Sequence, residues 1–195
     1  MTKLPSTRVL SVIKLVTRSF LAKSKVLTGN PTYKVLPSKV IVSIPYFSPI
    51  STDVLTDTKI NALATAITKV LVTYGFKSTV ELRFIRLQYP YLDSSILAQY
   101  VAINAGKYNM LRMQKMMFNK VSLTDTGTEK VNLPSQMTGV KLELAGRLTT
   151  QRSIPRKTVE NGHIGSFTVN KTLKSSLDFS QYASKNKLNA FTIKV

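Results

Sequence analysis

Four cations fall within eleven residues at Arg147, Arg152, Arg156 and Lys157, in a stretch punctuated by Gly146 and Pro155. A guanidinium presents paired N–H donors that match phosphate oxygens two at a time, and a loop lets the backbone follow an irregular target. Glu143 and Glu160 are the nearby acids, too few to neutralise the group, so phosphate contact explains it better than a merely solvated loop. Arg112 and Lys115 stand three residues apart, the spacing that places both on one face of a helix. No acid lies between Asp93 and Asp125. That pair by itself suits a solvated helix face as well as an anion contact. Parts for covalent chemistry are scarce. With no cysteine there is no disulfide, thiolate zinc site or cysteine nucleophile. His163 is the one histidine and reads as a loop residue in ENGHIGS, so neither a two-histidine metal site nor a triad can be assembled. No catalytic residue, metal or cofactor is expected.

The composition points the same way. The chain has 195 residues, with 28 Lys and Arg against 9 Asp and Glu, a formal charge of 28 − 9 = +19. At 43% hydrophobic content there is a core to bury, while the surplus charge asks for a polyanion, either nucleic acid or an anionic membrane surface. A spanning helix needs about eighteen uninterrupted apolar residues. Ser6 to Val26 is instead cut by Arg8, Lys14, Arg18, Lys23 and Lys25. Residues 1–52 hold eight basic residues and no acid, which resembles an organelle transit peptide. Because the bias persists to Asp53, a basic N-terminal arm over residues 1–30, lying on a polyanion, is the better reading. Two alternatives belong to other classes: a basic RNA-processing enzyme using carboxylates and Mg²⁺, and a membrane-surface protein. The acids are scattered. Asp53 and Asp57, the closest same-face pair, are better explained as residues opening a helix.

The elements that must position these cations follow from periodicity. Residues 27–38, with Gly29, Asn30, Pro31 and Pro37, read as a linker. Val40, Val42 and Ile44 alternate as in a strand. Ile60, Leu63, Ala64, Ile67, Val70 and Leu71 recur at three and four, predicting a helix that stops at Gly75. Val80, Leu82 and Phe84 alternate again, so residues 31–89 form a small strand, helix, strand module. Pro90 opens a second domain, 90–195, in which Asp93 caps a helix whose Ile96, Leu97, Tyr100, Val101 and Ile103 form a buried stripe. A further helix from Lys107 to about Phe118 turns Met110, Met113 and Met117 into the core. Residues 119–138 read as a polar insertion that a partner orders. Val140, Leu142 and Leu144, and then Phe191, Ile193 and Val195, predict strands, with Phe167, Val169, Leu173, Leu177 and Phe179 supplying others between them. The fold class is α+β, with a mainly antiparallel C-terminal sheet.

Three strings, in this order, resemble the small-subunit ribosomal protein S three family: PYLDSSILAQYVAINAGKYNMLRMQK, GVKLELAGRLTTQRS, and the closing stretch from Lys171 to Val195. The wording RLTTQRSIPRKTV looks most like the fungal mitochondrial form. The resemblance implies a structural constituent of the mitochondrial small ribosomal subunit, in the matrix. Its implied partners are small-subunit rRNA of the head, messenger RNA where it enters the subunit, and neighbouring head ribosomal proteins, with no membrane. It further implies that residues 31–89 are a divergent KH-like module. A KH module grips RNA through a GxxG loop, and the connection FSPISTD, Phe47 to Asp53, has no glycine. By the same resemblance Arg112 and Lys115 line the messenger path, although Leu111 replaces one of the family's arginines, while Arg147, Arg152, Arg156 and Lys157 hold rRNA.

From the charge surplus, RNA binding is expected to be electrostatic and largely insensitive to base sequence. Each neutralised phosphate should contribute about −0.7 to −0.9 to the slope of log affinity against log salt. Filter binding across a salt series measures that slope, and a flat line would contradict the reading.

Overall fold

The computed structural model describes residues 7–24, 26–36, 39–49, 55–76, 79–121, 137, 139–150, 159–165 and 177–195. They divide into two units, Met1–Tyr89 and Pro90–Val195. The first opens with α1 (Thr7–Ala22), followed by β1 (Leu27–Thr28), β2 (Thr32–Val35), β3 (Lys39–Phe47), α2 (Asp57–Thr73) and β4 (Thr79–Arg86). The second contains a 3-10 turn at Pro90–Leu92, α3 (Ser94–Asn104), α4 (Met110–Phe118), β5 (Gly139–Gly146), β6 (Val159–Gly165), β7 (Gln181–Lys185) and β8 (Ala190–Lys194). The combination of helices with largely antiparallel sheets is α+β.

In the first unit β3 organises everything. β4 runs parallel to it from Lys39↔Thr79 to Tyr46↔Arg86, while β1 and β2 pair with it antiparallel at Leu27↔Phe47 and Thr32↔Ser43. Val40, Val42 and Ile44 are fully buried in one core with Leu63, Ile67 and Leu71 of α2, and Val80, Leu82 and Phe84 of β4 pack against them. The expected period-two and period-3.6 faces therefore meet. α2 ends in a Schellman arrangement. Gly75 has φ +82, its N–H donates to Val72 O at 2.9 Å, and the Phe76 N–H reaches back to Leu71 O at 2.9 Å.

The acid-free N-terminal segment departs from the expected arm. From Thr7 to Ala22 it is a helix of the first unit, and Val9, Ile13 and Leu21 join the core just described. The physical reason is the three-and-four recurrence of its apolar residues, which gives the segment a face to bury. The Tyr33 hydroxyl donates to Leu10 O at 3.0 Å and ties β2 to this helix; burial pushes its phenol pKa up to about 12. The linker residues likewise include β1 and β2.

In the second unit the sheet order is β6-β5-β8-β7, all antiparallel. Val140, Leu142 and Leu144 of β5 and Phe191 and Ile193 of β8 share a core with Leu97, Ala98 and Val101 of α3 and Met110 and Met113 of α4. Asp93 caps α3 as expected, accepting from Ile96 N at 2.9 Å, and Asp178 accepts from Ser94 N at 3.2 Å. Three expectations are corrected. Ile103 is 63% exposed, because at 3.6 residues per turn it lies on the side of α3 opposite the buried Ala98, Val101 and Ala105. Leu177 and Phe179 lie exposed outside any strand. His163 is an exposed residue of β6, paired with Lys141, because ENGHIGS alternates in burial along the strand instead of forming a loop. α4 starts at Met110 after Asn109, later than Lys107. Most of the 119–138 insertion, with Phe167, Val169 and Leu173, lies outside the described residues.

Gly146 carries φ +119, and a Cβ there would stand 2.9 Å from Ala190 O and Phe191 Cα. Gly146→Ala is therefore expected to destabilise by about 1–3 kcal/mol, read as a lower urea midpoint at unchanged slope. A pH series separates two carboxylates of opposite sign. The Lys194 ammonium, 2.7 Å away, holds the Glu143 carboxyl below its ordinary range, so its contribution is present at neutral pH and lost as pH falls through that lowered value. Burial pushes Asp93 up, with the Asp178 charge adding to it, so ionised Asp93 weakens the fold and protonation on acidification relieves that cost. Relative to wild type, Glu143→Gln should lose stability at neutral pH and converge on it in acid. Asp93→Asn, which keeps an acceptor at the cap, should match or exceed wild type at neutral pH and lose that advantage in acid.

Candidate nucleic-acid interface

Of the four loop cations, Arg147 is described; Arg152, Arg156 and Lys157 lie outside the described residues. The geometry at Arg147 explains why a glycine, an arginine and a leucine follow one another. Gly146 takes the positive φ that lets β5 end against β8 at the Gly146↔Phe191 pair. Leu148 is fully buried in the core of the second unit, and Arg147 between them is half-buried. The Arg147 carbonyl accepts from Asn186 Nδ2 at 2.8 Å. Asn186 in turn accepts from Leu188 N at 3.0 Å and Asn189 N at 2.7 Å, folding the β7–β8 turn around its own side chain. The basic loop thus leaves the sheet from a fixed point. Asn186 is a positioning residue that the sequence reading missed, and its signal was the turn-like spacing of Asn186 and Asn189.

Glu143 was weighed as a neutralising acid for this loop. It is engaged elsewhere, facing Lys194 across the β5–β8 register with Nζ to Oε1 at 2.7 Å.

Arg112 and Lys115 are both exposed on α4, so the three-residue spacing does place them on its outer side. The inner side is set by Met110, Met113 and Gln114, all buried. Gln114 sits against Gly162 of β6, where a Cβ would come within 2.5 Å of the side-chain amide, so any larger residue there requires that amide to move. Lys115 lies in the last turn of the helix, where the dipole favours a cation. The Arg112 Cζ lies over the Tyr108 ring, 5.1 Å from its centroid, the tyrosine standing just ahead of the N-cap Asn109. Tyr108 is itself packed on the core, so the guanidinium rests against a ring that the fold holds in place. Tyr108 was also missed, although its i, i+4 spacing from Arg112 was visible. Leu111 and Met116 are exposed between the cations.

Among the described residues no group of three His, Cys, Asp or Glu is placed to hold a metal ion, and no helix is long and apolar enough to cross a membrane. The arrangement can bind anions through side-chain cations on fixed backbone.

Comparison with known proteins gives that chemistry a setting. A family model described as mitochondrial ribosomal protein (VAR1) matches residues 26–195. The chain is also 35% identical over 180 residues to the small ribosomal subunit protein uS3m of Mycosarcoma maydis, across 86% of this chain and 66% of that relative. It therefore spans just under two thirds of the relative's length. The match takes in β5, the Gly146–Leu148 turn and α4, the segments on which both cationic sites stand, and the chain belongs to the VAR1 family of mitochondrial ribosomal proteins, which are structural and non-enzymatic components.

Proposed function

We propose that this chain is a structural constituent of the mitochondrial small ribosomal subunit, in the matrix, where it binds and organises rRNA of the head and lines the path by which messenger RNA enters. Arg147, Arg152, Arg156 and Lys157 make the permanent rRNA contact. Arg112 and Lys115 face the messenger. The observation that carries the division is the contrast in mounting. Arg147 is half-buried between Gly146 and the buried Leu148, as suits a lasting contact, while Arg112 and Lys115 stand exposed on a helix, as suits a transient one. Neighbouring ribosomal proteins of the head complete the surroundings.

Residues 31–89 serve on this reading as a divergent KH-like module. Its support is the strand, helix, strand unit β3-α2-β4 with parallel pairing. Without glycine in the β3–α2 connection the usual backbone grip on phosphate is missing, and binding falls to the basic side chains.

Replacing Arg147, Arg152, Arg156 and Lys157 with Ala should impair assembly into the small subunit. Replacing Arg112 and Lys115 with Ala should leave assembly nearly intact and slow translation of messengers structured near their point of entrance, at about 1 kcal/mol per exposed charge. Gradient sedimentation of both variants, beside translation of structured and unstructured messengers, reads the two effects. A helix variant that failed to assemble while the loop variant assembled normally would reverse the assignment.

A further inference from the structure

Arg112 stands in the first turn of α4, just after Met110 opens the helix, and that turn holds no acid. The positive end of a helix dipole disfavours a cation there. No acid lies between Asp93 and Asp125, so the neighbouring sequence supplies no carboxylate either. The structure supplies the face of Tyr108 instead, with the Arg112 Cζ over the ring at 5.1 Å from its centroid. The negative face of an aromatic ring attracts a cation. The ring is firmly mounted. Tyr108 lies in the connection between α3 and α4, flanked by the buried Ala105 and the buried Met110. Its N–H donates to Asn104 O at 3.1 Å, and its side chain packs against the core of the second unit. Arg112 remains exposed. An exposed arginine has a long, rotating stem, and the freedom it loses on gripping a ligand subtracts from affinity.

We propose that Tyr108 is a positioning residue for Arg112: its ring holds the guanidinium in place before single-stranded RNA arrives, so that less freedom is lost when the contact forms. This rests on the reading that Arg112 faces the messenger, and adds to it the side chain that sets how tightly that one cation holds. A guanidinium is planar and weakly hydrated, which suits it to a ring face, whereas an ammonium is a compact, strongly hydrated charge. The two cations of α4 are accordingly supported by different means. Lys115 stands in the last turn, where the dipole favours it, and Arg112 in the first turn is supported by the ring. The ring carries this role and the hydroxyl does not.

Binding of the full chain to a short, unstructured single-stranded RNA across a salt series separates positioning from charge. Tyr108→Leu should weaken affinity about two- to five-fold and leave the log–log salt slope unchanged, since no cation is removed. Tyr108→Phe keeps the ring and should restore wild-type affinity. Arg112→Gln should weaken binding and flatten the slope by about 0.7. In the Arg112→Gln background Tyr108→Leu should have no further effect, the signature of a residue that acts through another. Urea midpoints check that each variant folds. Should Tyr108→Leu fail to fold, Arg112→Lys tests the same contact from its exposed partner: charge and slope are kept, and affinity should fall by about the same two- to five-fold. Wild-type affinity in Tyr108→Leu overturns the proposal, or in Arg112→Lys where that variant is the test. So does an equal loss in Tyr108→Phe, or an undiminished effect of Tyr108→Leu in the Arg112→Gln background. If Arg112→Gln itself leaves affinity and slope unchanged, the assignment of Arg112 to the messenger falls and the proposal with it. A loss in Arg112→Gln with none in Tyr108→Leu removes the role of Tyr108 alone.

Discussion

Like-charge repulsion is the constraint to which the rest of this structure answers. A surplus of nineteen positive charges on 195 residues must be carried by two units, each with its own small core. Four of the described acids make contacts within the framework. Glu81 stands between Lys39 Nζ at 2.6 Å and Arg83 Nη2 at 2.7 Å, which holds its carboxyl below the ordinary range. Glu143 faces Lys194, Asp93 caps α3, and Asp178 accepts from the same helix end. Glu81 and Glu143 join strand to strand, and Asp93 and Asp178 satisfy the N-terminus of α3. On the proposed reading Arg112 and Lys115, exposed on α4, face a polyanion, whose evenly spaced charges need no matching acidic surface on the protein.

The elements most legible in the sequence were those whose burial follows from period alone. Val40, Val42 and Ile44, the α2 stripe at Leu63, Ile67 and Leu71, and the β5 alternation all lie where spacing placed them. Asp93 as cap and Gly75 as stop follow from chemistry local to one turn. What spacing could not supply was competition between signals. Residues 7–22 carry both a cationic pattern and an apolar one, and counting charge read an arm where burial of Val9, Ile13 and Leu21 builds a helix. In ENGHIGS the glycines suggested a turn, yet Gly162 lies in β6 against the side-chain amide of Gln114, from a helix far away in sequence, which would have to move for a Cβ. Such a requirement is tertiary and leaves no local trace. For the candidate site, the cations were legible and their mounts were not. Arg112 and Lys115 are exposed on α4 as their spacing required, but Asn186 reaches Arg147 across 39 residues of chain.

Those mounts indicate how such a chain can bind RNA usefully through side chains alone. A lysine or arginine loses considerable rotamer and backbone freedom on binding, and that cost subtracts directly from affinity. Here part of the ordering is already complete before any ligand arrives. Leu148 and the Asn186 amide fix the backbone at Arg147, and the Arg112 guanidinium rests against the Tyr108 ring.

The same logic connects the charge surplus to the proposed loss of the glycine loop. A backbone N–H binds phosphate as a neutral dipole, whereas a cation binds it by displacing condensed counterions. When the first kind of contact is absent from the β3–α2 connection, its contribution has to come from the second kind. The second kind is screened by salt, so each contact is weaker under physiological conditions and more of them are needed. On the reading proposed for residues 31–89, lysine and arginine then accumulate on the rigid elements that face RNA. Acids would offset that gain wherever they lay close by, and the acid-free stretch 1–52, which runs through β3, is where such selection would leave its mark.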